Sequence, residues 1–269
     1  YLQQEADDLN VGALATPYSF DWDNDGDEDL ICGNTAGYVY YLENLSGGRD
    51  PKFAAPVRMK AGDEVLRILA GPNGSIQGIA EAKWGYTTLS VADWDADGLA
   101  DLIINSIWGK ILWYKNIGTA NAPALAEGQP IEVAWEGKPQ KPHWNWWNPE
   151  GNNLVTQWRT TPLAVDWNED GLMDLVMMDA EAYLCLYERK RTEDGELVLL
   201  PPVRHFVEPN GEPFRLTSRT VGRSGRSKLA IADWDTDGKP DLLVNSTNAD
   251  WYRNVGKNPE GKTILKMVG

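Results

Sequence analysis

The sequence predicts an all-β protein built of β-propeller blades, and three observations predict it. A nine-residue acidic motif occurs four times: "DWDNDGDED" (21–29), "DWDADGLAD" (93–101), "DWNEDGLMD" (166–174) and "DWDTDGKPD" (233–241). Each copy lies between two runs whose apolar residues alternate as in half-buried strands. No stretch carries the apolar spacing of an amphipathic helix.

The motifs stand about seventy residues apart, and the same grammar surrounds each one. A lead-in strand comes first, as in "TLSVADW", "PLAVDW" and "KLAIADW". After the acidic loop a second run follows, such as "DLIINSIWG", "DLVMMDAEA" or "DLLVNSTNA". A third, aromatic run is next: "YVYYLENLSG", "KILWYKNIGT", "AYLCLYERK" and "DWYRNVGK". Looser segments such as "PKFAAPVRM" and "KTILKMV" complete the unit. Three or four short strands per repeat, with no helix between repeats, describe propeller blades. The repeats run approximately over 12–80, 81–157, 158–225 and 226–269, as a single propeller domain or part of one.

Charge narrows the partners. The 269 residues hold 40 Asp and Glu against 25 Lys and Arg, a formal net charge of −15. That field opposes a nucleic-acid backbone or an anionic membrane surface. No apolar run approaches the roughly 18 residues of a transmembrane helix, and no signal peptide opens the chain, so a mature, soluble protein is expected. Cys32 and Cys185 sit in apolar runs of different repeats and read as buried thiols, not a bridge. Thirteen Trp and ten Tyr beside four Phe point to aromatic packing between sheets, or to surfaces that stack on an amphipathic ligand.

The acidic loops need a counter-charge, and their spacing names one. In D-x-[DN]-x-D-G-x-x-D, side chains at positions 1, 3 and 5 converge, Gly at 6 permits the turn, 7 offers a carbonyl and the carboxylate at 9 closes an oxygen shell suited to calcium. The ligand sets are Asp21, Asp23, Asp25, Asp27 and Asp29; Asp93, Asp95, Asp97, Leu99 and Asp101; Asp166, Asn168, Asp170, Leu172 and Asp174; and Asp233, Asp235, Asp237, Lys239 and Asp241. Asp27, Leu99, Leu172 and Lys239 contribute through their carbonyls. An EF-hand needs its closing Glu at position 12 between helices, which these loops lack; Mg²⁺ prefers an octahedral shell rich in water. With Asn168 in place of an acid, the third site is expected to bind most weakly. All four sites read as internal staples of the blades.

Acidic loops of this spacing, followed by a "YENIGT"-like third strand, resemble FG-GAP/VCBS repeats, the blades of integrin α-subunits and many secreted bacterial propellers. The resemblance covers nearly the whole chain. It implies four structural calcium ions and a secreted, periplasmic or cell-surface protein. Because related propellers usually have about seven blades, it also implies further blades, from the rest of a parent chain or another chain, ahead of a closed four-blade ring. The blades themselves serve adhesion proteins, lectins and polysaccharide-degrading enzymes alike. Trp22, Trp94, Trp167 and Trp234, at motif position 2, read as packing between blades.

Ligand contacts are expected where the repeats differ, in the loops entering each first strand. Lys83, Trp84 and Tyr86 occupy positions matching Gln157, Trp158 and Arg159, with Arg223 and Arg226 in the fourth repeat. An insert, "KPQKPHWNWWNPEGNN" (138–153), adds Trp144, Trp146 and Trp147 beside His143. Trp faces stack on sugar rings, and basic residues in an acidic protein favour an anionic sugar such as a uronate. A polysaccharide lyase needs a cation against the uronate carboxylate and a base for the C5 proton. Arg159, Arg223 or Arg226 suits the first role, and His143, Tyr86 or Lys83 the second. The alternative is a non-catalytic lectin or adhesion module. Glu81, Glu150, Asp179, Glu181 and Asp250 lie outside the loops, and the sequence does not pair them. His205, in "PPVRHFVEP", reads as a loop-edge residue.

Overall fold

The computed structural model describes residues 5–6, 8–71, 79–143, 145, 148–216, 226–245 and 249–268. In blade 1 the strands Thr16–Phe20, Asp29–Gly33, Val39–Leu42 and Val57–Arg58 pair in sequence order. Blade 2 repeats this with Leu89–Ala92, Asp101–Asn105, Ile111–Tyr114 and Gln129–Pro130. Blade 3 has Leu163–Val165, Asp174–Met178 and Leu184–Tyr187, with a bridge between Leu186 and Val203 where a fourth strand would lie. Blade 4 has Lys228–Ala232, Asp241–Asn245, Ala249–Lys257 and Thr263–Met267. Phe206–Val207 adds to its outer edge as a parallel strand. All pairings within the blades are antiparallel. Among the described residues the only helical turn is a 3-10 segment at Ile79–Lys83. The protein is all-β and of the propeller class, as its repeats predict.

One register places every acidic loop identically. The last residue of the first strand faces the closing aspartate: Phe20 with Asp29, Ala92 with Asp101, Val165 with Asp174 and Ala232 with Asp241. That aspartate is at most 1% exposed in all four blades. Its Oδ2 accepts the amide of the motif tryptophan, and its Oδ1 accepts the amide of Asn44, Asn116 or Arg189, two residues past the third strand, or of Asn254 within it. In blades 2 and 4 the indole N–H of Trp113 or Trp251 adds a third bond. The Tyr41 hydroxyl does the same in blade 1. A charged acceptor bonded to several N–H groups withstands burial that an unpaired carboxylate would not.

The chain divides into two compact units, Tyr1–Ile131 and Glu132–Gly269, each a pair of blades. In the first, Trp22, Ile31, Val39, Leu89, Val91, Leu102 and Ile104 form one core spanning blades 1 and 2. In the second, Val176, Leu184, Phe206, Leu229, Leu242 and Leu265 do the same for blades 3 and 4. Each such fully buried aliphatic side chain contributes roughly 1.5–3 kcal/mol. Cys32 and Cys185 are buried free thiols. Residues 132–157, counted with the second repeat by sequence, fall in the second unit. Their backbone is held there, with the Ala134 amide donating to the Leu199 carbonyl.

Three of the four motif tryptophans pack as expected. Trp22 and Trp94 are buried, and Trp167 meets Phe206 edge-on at 4.9 Å. Trp234 departs from the rule at 61% exposure. Trp22 joins the core its blade shares with blade 2, and Phe206, the partner of Trp167, belongs to the outer edge strand of blade 4.

Replacing Asp101 tests the staple. Asp101→Ala leaves the amides of Trp94 and Asn116 and the Trp113 indole without an acceptor, and urea unfolding should show a loss of about 3–5 kcal/mol. Asp101→Asn, which keeps one acceptor oxygen, should lose about half as much.

Candidate functional site

Each acidic loop is wound by its own side chains. The position 1 aspartate accepts the amides of positions 5 and 6 on its two oxygens, at 2.9–3.1 Å, in all four loops. Position 5 accepts the amide of position 7. The backbone is left-handed at position 4, where Asn24, Ala96, Glu169 and Thr236 have φ of 58–62°, and again at the position 6 glycines, φ 85–100°. Left-handed φ is costly for Ala, Glu and Thr, so glycine at 6 leaves one strained residue per turn instead of two.

The winding gathers carboxylates. Asp21, Asp23 and Asp29 offer oxygens within 4.8 Å of one another, as do Asp93, Asp95 and Asp101, and Asp233, Asp235 and Asp241. In each of these three loops the position 3 aspartate has a buried Oδ1 with no hydrogen-bond donor, at Asp23, Asp95 and Asp235. Orphaned, converging oxygens of this kind suit a hard divalent cation. Burial pushes Asp29, Asp101 and Asp174 up to about 6 despite the N–H groups they accept. In the third loop Asn168 instead ties into the turn, donating to Asp170 Oδ2 and accepting the Asp170 amide.

A residue outside the motif sets the charge beside each loop. The residue preceding the amide donor to the closing aspartate, at or just past the end of the third strand, is Glu43, Lys115, Glu188 and Arg253 in blades 1 to 4. Glu43 joins Asp23 and Asp25 in a second carboxylate group, and Glu188 acts on Asp174 to raise its pKa. Lys115 instead bonds Asp95 and Asp97, and Arg253 bonds Asp235 at 2.6 Å and Asp237 at 3.1 Å. Lys239 adds a second cation on Asp237. Blades 1 and 3 thus add negative charge to the loop, while blades 2 and 4 neutralise it internally. Asn168 costs the third loop a charge that Glu188 restores.

The strand-entry loops share a second feature. Counted back from each first aspartate, Leu14, Tyr86 and Arg159 are equivalent and all left-handed, with φ of 50°, 50° and 59°. This shifts the sequence alignment by one residue: Trp84 matches Gln157, and Lys83 matches Thr156. Arg226 holds the same place in blade 4. Left-handed backbone at non-glycine residues concentrates where loops do work.

Within the first unit Trp84 is 36% exposed and meets Tyr86 edge-on at 5.8 Å, while the Lys83 carbonyl accepts from Arg67. Within the second, Trp158 is 7% exposed, and the guanidinium carbons of Arg159 and Arg226 lie 4.4 and 4.6 Å from its ring centre. Its expected stacking on a sugar is therefore preempted by arginine. Lys228, not singled out by sequence, donates to the Arg159 carbonyl, and burial beside Arg159 lowers its amine to about 8. His143 is exposed and neighbours Glu181. Trp144, Trp146, Trp147 and Arg223 lie outside the described residues. The proposed catalytic residues are divided, Lys83 and Tyr86 in the first unit and His143 and Arg159 in the second. His205 packs edge-on against Phe206 and hydrogen-bonds Thr263.

No protein-family model matches the chain, and no curated protein does. Among solved structures, it is similar to an Agrocybe aegerita lectin described as recognising non-reducing terminal N-acetylglucosamine, at 15% identity and TM-score 0.41. That match covers 93% of this chain and 51% of the lectin, so the chain spans about half its length. The Photorhabdus luminescens Tc holotoxin pore matches at 15% identity and TM-score 0.36, over 100% of this chain and 12% of the pore. Both likenesses are too slight to transfer a function.

Lys115→Ala should raise the cation affinity of the second loop about tenfold, since a unit charge a few ångströms away is worth about that much. Glu43→Gln should weaken the first, both being read by calorimetric titration. Lys228 gives a pH signature. Its folded pKa lies below the unfolded value near 10.4, so the unfolded chain binds more protons between the two, and stability should rise from about pH 8 to pH 10. Lys228→Met should flatten that rise in thermal melts.

Proposed function

We propose that this protein is a calcium-stabilised, FG-GAP/VCBS-type propeller module that binds glycans outside the cytoplasm, without catalysing their cleavage. The observation that carries the reading is the entry loop of blade 2. There the exposed Trp84 meets Tyr86 edge-on, and the carbonyl of the preceding residue, Lys83, accepts from the guanidinium of Arg67. An exposed indole next to fixed hydrogen-bond donors suits a sugar ring, whose C–H face stacks while its hydroxyls take the polar contacts. The calcium reading is supported by the orphaned oxygens of Asp23, Asp95 and Asp235, and the ions act as staples between the first and second strands.

A lyase acting on an acidic polysaccharide is the second reading, and Lys228 favours it. An amine lowered to about 8, touching Arg159, is the kind of base such chemistry uses. Binding is preferred because the guanidinia of Arg159 and Arg226, the cations such chemistry needs, are already taken up on the ring of Trp158.

Two measurements check the proposal. Chelation by EDTA should lower the melting temperature and calcium should restore it. On a glycan panel at saturating calcium, Trp84→Ala should weaken binding about tenfold or more with an unchanged melting temperature. Retained binding in that variant, or a rise in unsaturated-uronate absorbance with acidic polysaccharide, would move the reading away from a lectin at this loop.

A further inference from the structure

Blades 1 and 3 share a second device, an arginine–tyrosine–arginine cluster. In blade 3 the guanidinium carbons of Arg204 and Arg215 lie 3.7 and 4.7 Å from the Tyr183 ring centre. In blade 1 Arg58 and Arg67 lie 4.0 and 4.5 Å from that of Tyr38. The correspondence extends to the backbone. Tyr38 bridges Arg67 just as Tyr183 bridges Arg215, and Val57 pairs with Tyr41 as Val203 does with Leu186. Arg215 donates to the Glu181 carbonyl and Arg67 to that of Ala36, the equivalent turn residue. Asp179 Oδ1 accepts the Tyr183 amide, and Asn34 Oδ1 accepts the Tyr38 amide.

The two clusters differ in what neutralises them. In blade 3 the carboxylates of Asp179 and Glu181 both pair with Arg204. In blade 1 those two positions are Asn34 and Ala36, so the amide keeps the turn and the methyl removes the counter-charge. Arg58 and Arg67 are exposed and, among the described residues, neither pairs with a carboxylate; Arg58 Nε donates to the Tyr40 hydroxyl. Two guanidinia are thus held by one aromatic ring in a protein of net charge −15, with no acid assigned to them. Blade 3 shows what completes such a cluster.

We propose that Arg58 and Arg67 of blade 1 bind a carboxylate of the ligand where blade 3 supplies Glu181 of its own chain. A planar guanidinium takes a carboxylate in a two-pronged bond, and stacking on Tyr38 orients both donors before the ligand arrives. Arg67 also contacts the Lys83 carbonyl, next to exposed Trp84. The ligand class is therefore a uronate-containing glycan, its ring on Trp84 and its carboxylate on the arginines. This rests on the glycan-binding reading given above.

The test is calorimetric titration of the full chain in calcium with oligogalacturonate, its methyl ester and polyglutamate. Oligogalacturonate should bind and its methyl ester at least tenfold more weakly. The paired change Arg58→Gln with Arg67→Gln should also cost at least tenfold. Ala36→Glu, which installs the carboxylate of blade 3, should block binding while leaving the melting temperature unchanged or higher. Equal binding of acid and ester, or unchanged binding by Ala36→Glu, overturns the carboxylate site and leaves the glycan reading standing. Polyglutamate bound in preference to oligogalacturonate, and blocked by Ala36→Glu, overturns the uronate assignment and the glycan reading together.

Discussion

The buried closing aspartate of the acidic motif is the interaction on which the rest of each blade depends. Its two oxygens join three pieces of chain: the loop's start, the second strand it begins and the chain at or just past the end of the third strand. A carboxylate in that position must be fully bonded, because a buried charge without donors would cost more than the fold can spare. The N–H groups of the motif tryptophan and of the residue at or just past the end of the third strand meet this demand in every blade. The same aspartate gathers with positions 1 and 3 in the loops of blades 1, 2 and 4, whereas the position 5 carboxylate turns to the position 7 amide.

The repeat has two periods. The acidic loop recurs in every blade, whereas the charges around it recur in alternate blades. Glu43 and Glu188 stand beside the loops of blades 1 and 3, and Lys115 and Arg253 enter those of blades 2 and 4. The arginine–tyrosine clusters of blades 1 and 3 follow the same alternation, and the two compact units divide the chain at that period. A blade pair is the natural unit because one blade exposes an apolar face that its neighbour must cover. Within such a pair, the loops differ in electrostatics while their backbones stay alike.

Much of this was legible in the sequence because strand period, turn glycine and ligand spacing are local. Four copies of D-x-[DN]-x-D-G-x-x-D between alternating runs determined the all-β blades, the left-handed glycine of each turn and the convergence of its carboxylates. What only the tertiary structure decided involves residues distant in the chain. Trp158 reads in the sequence as a sugar platform, but Arg226 lies over its ring, and Trp234 reads as packing between blades, but is 61% exposed. Lys115, Arg58 and Arg67 carry no local motif. Their roles arise when the third strand and the following segment fold back over the loop and the hairpin, and that proximity is set by packing, which no stretch of sequence contains by itself.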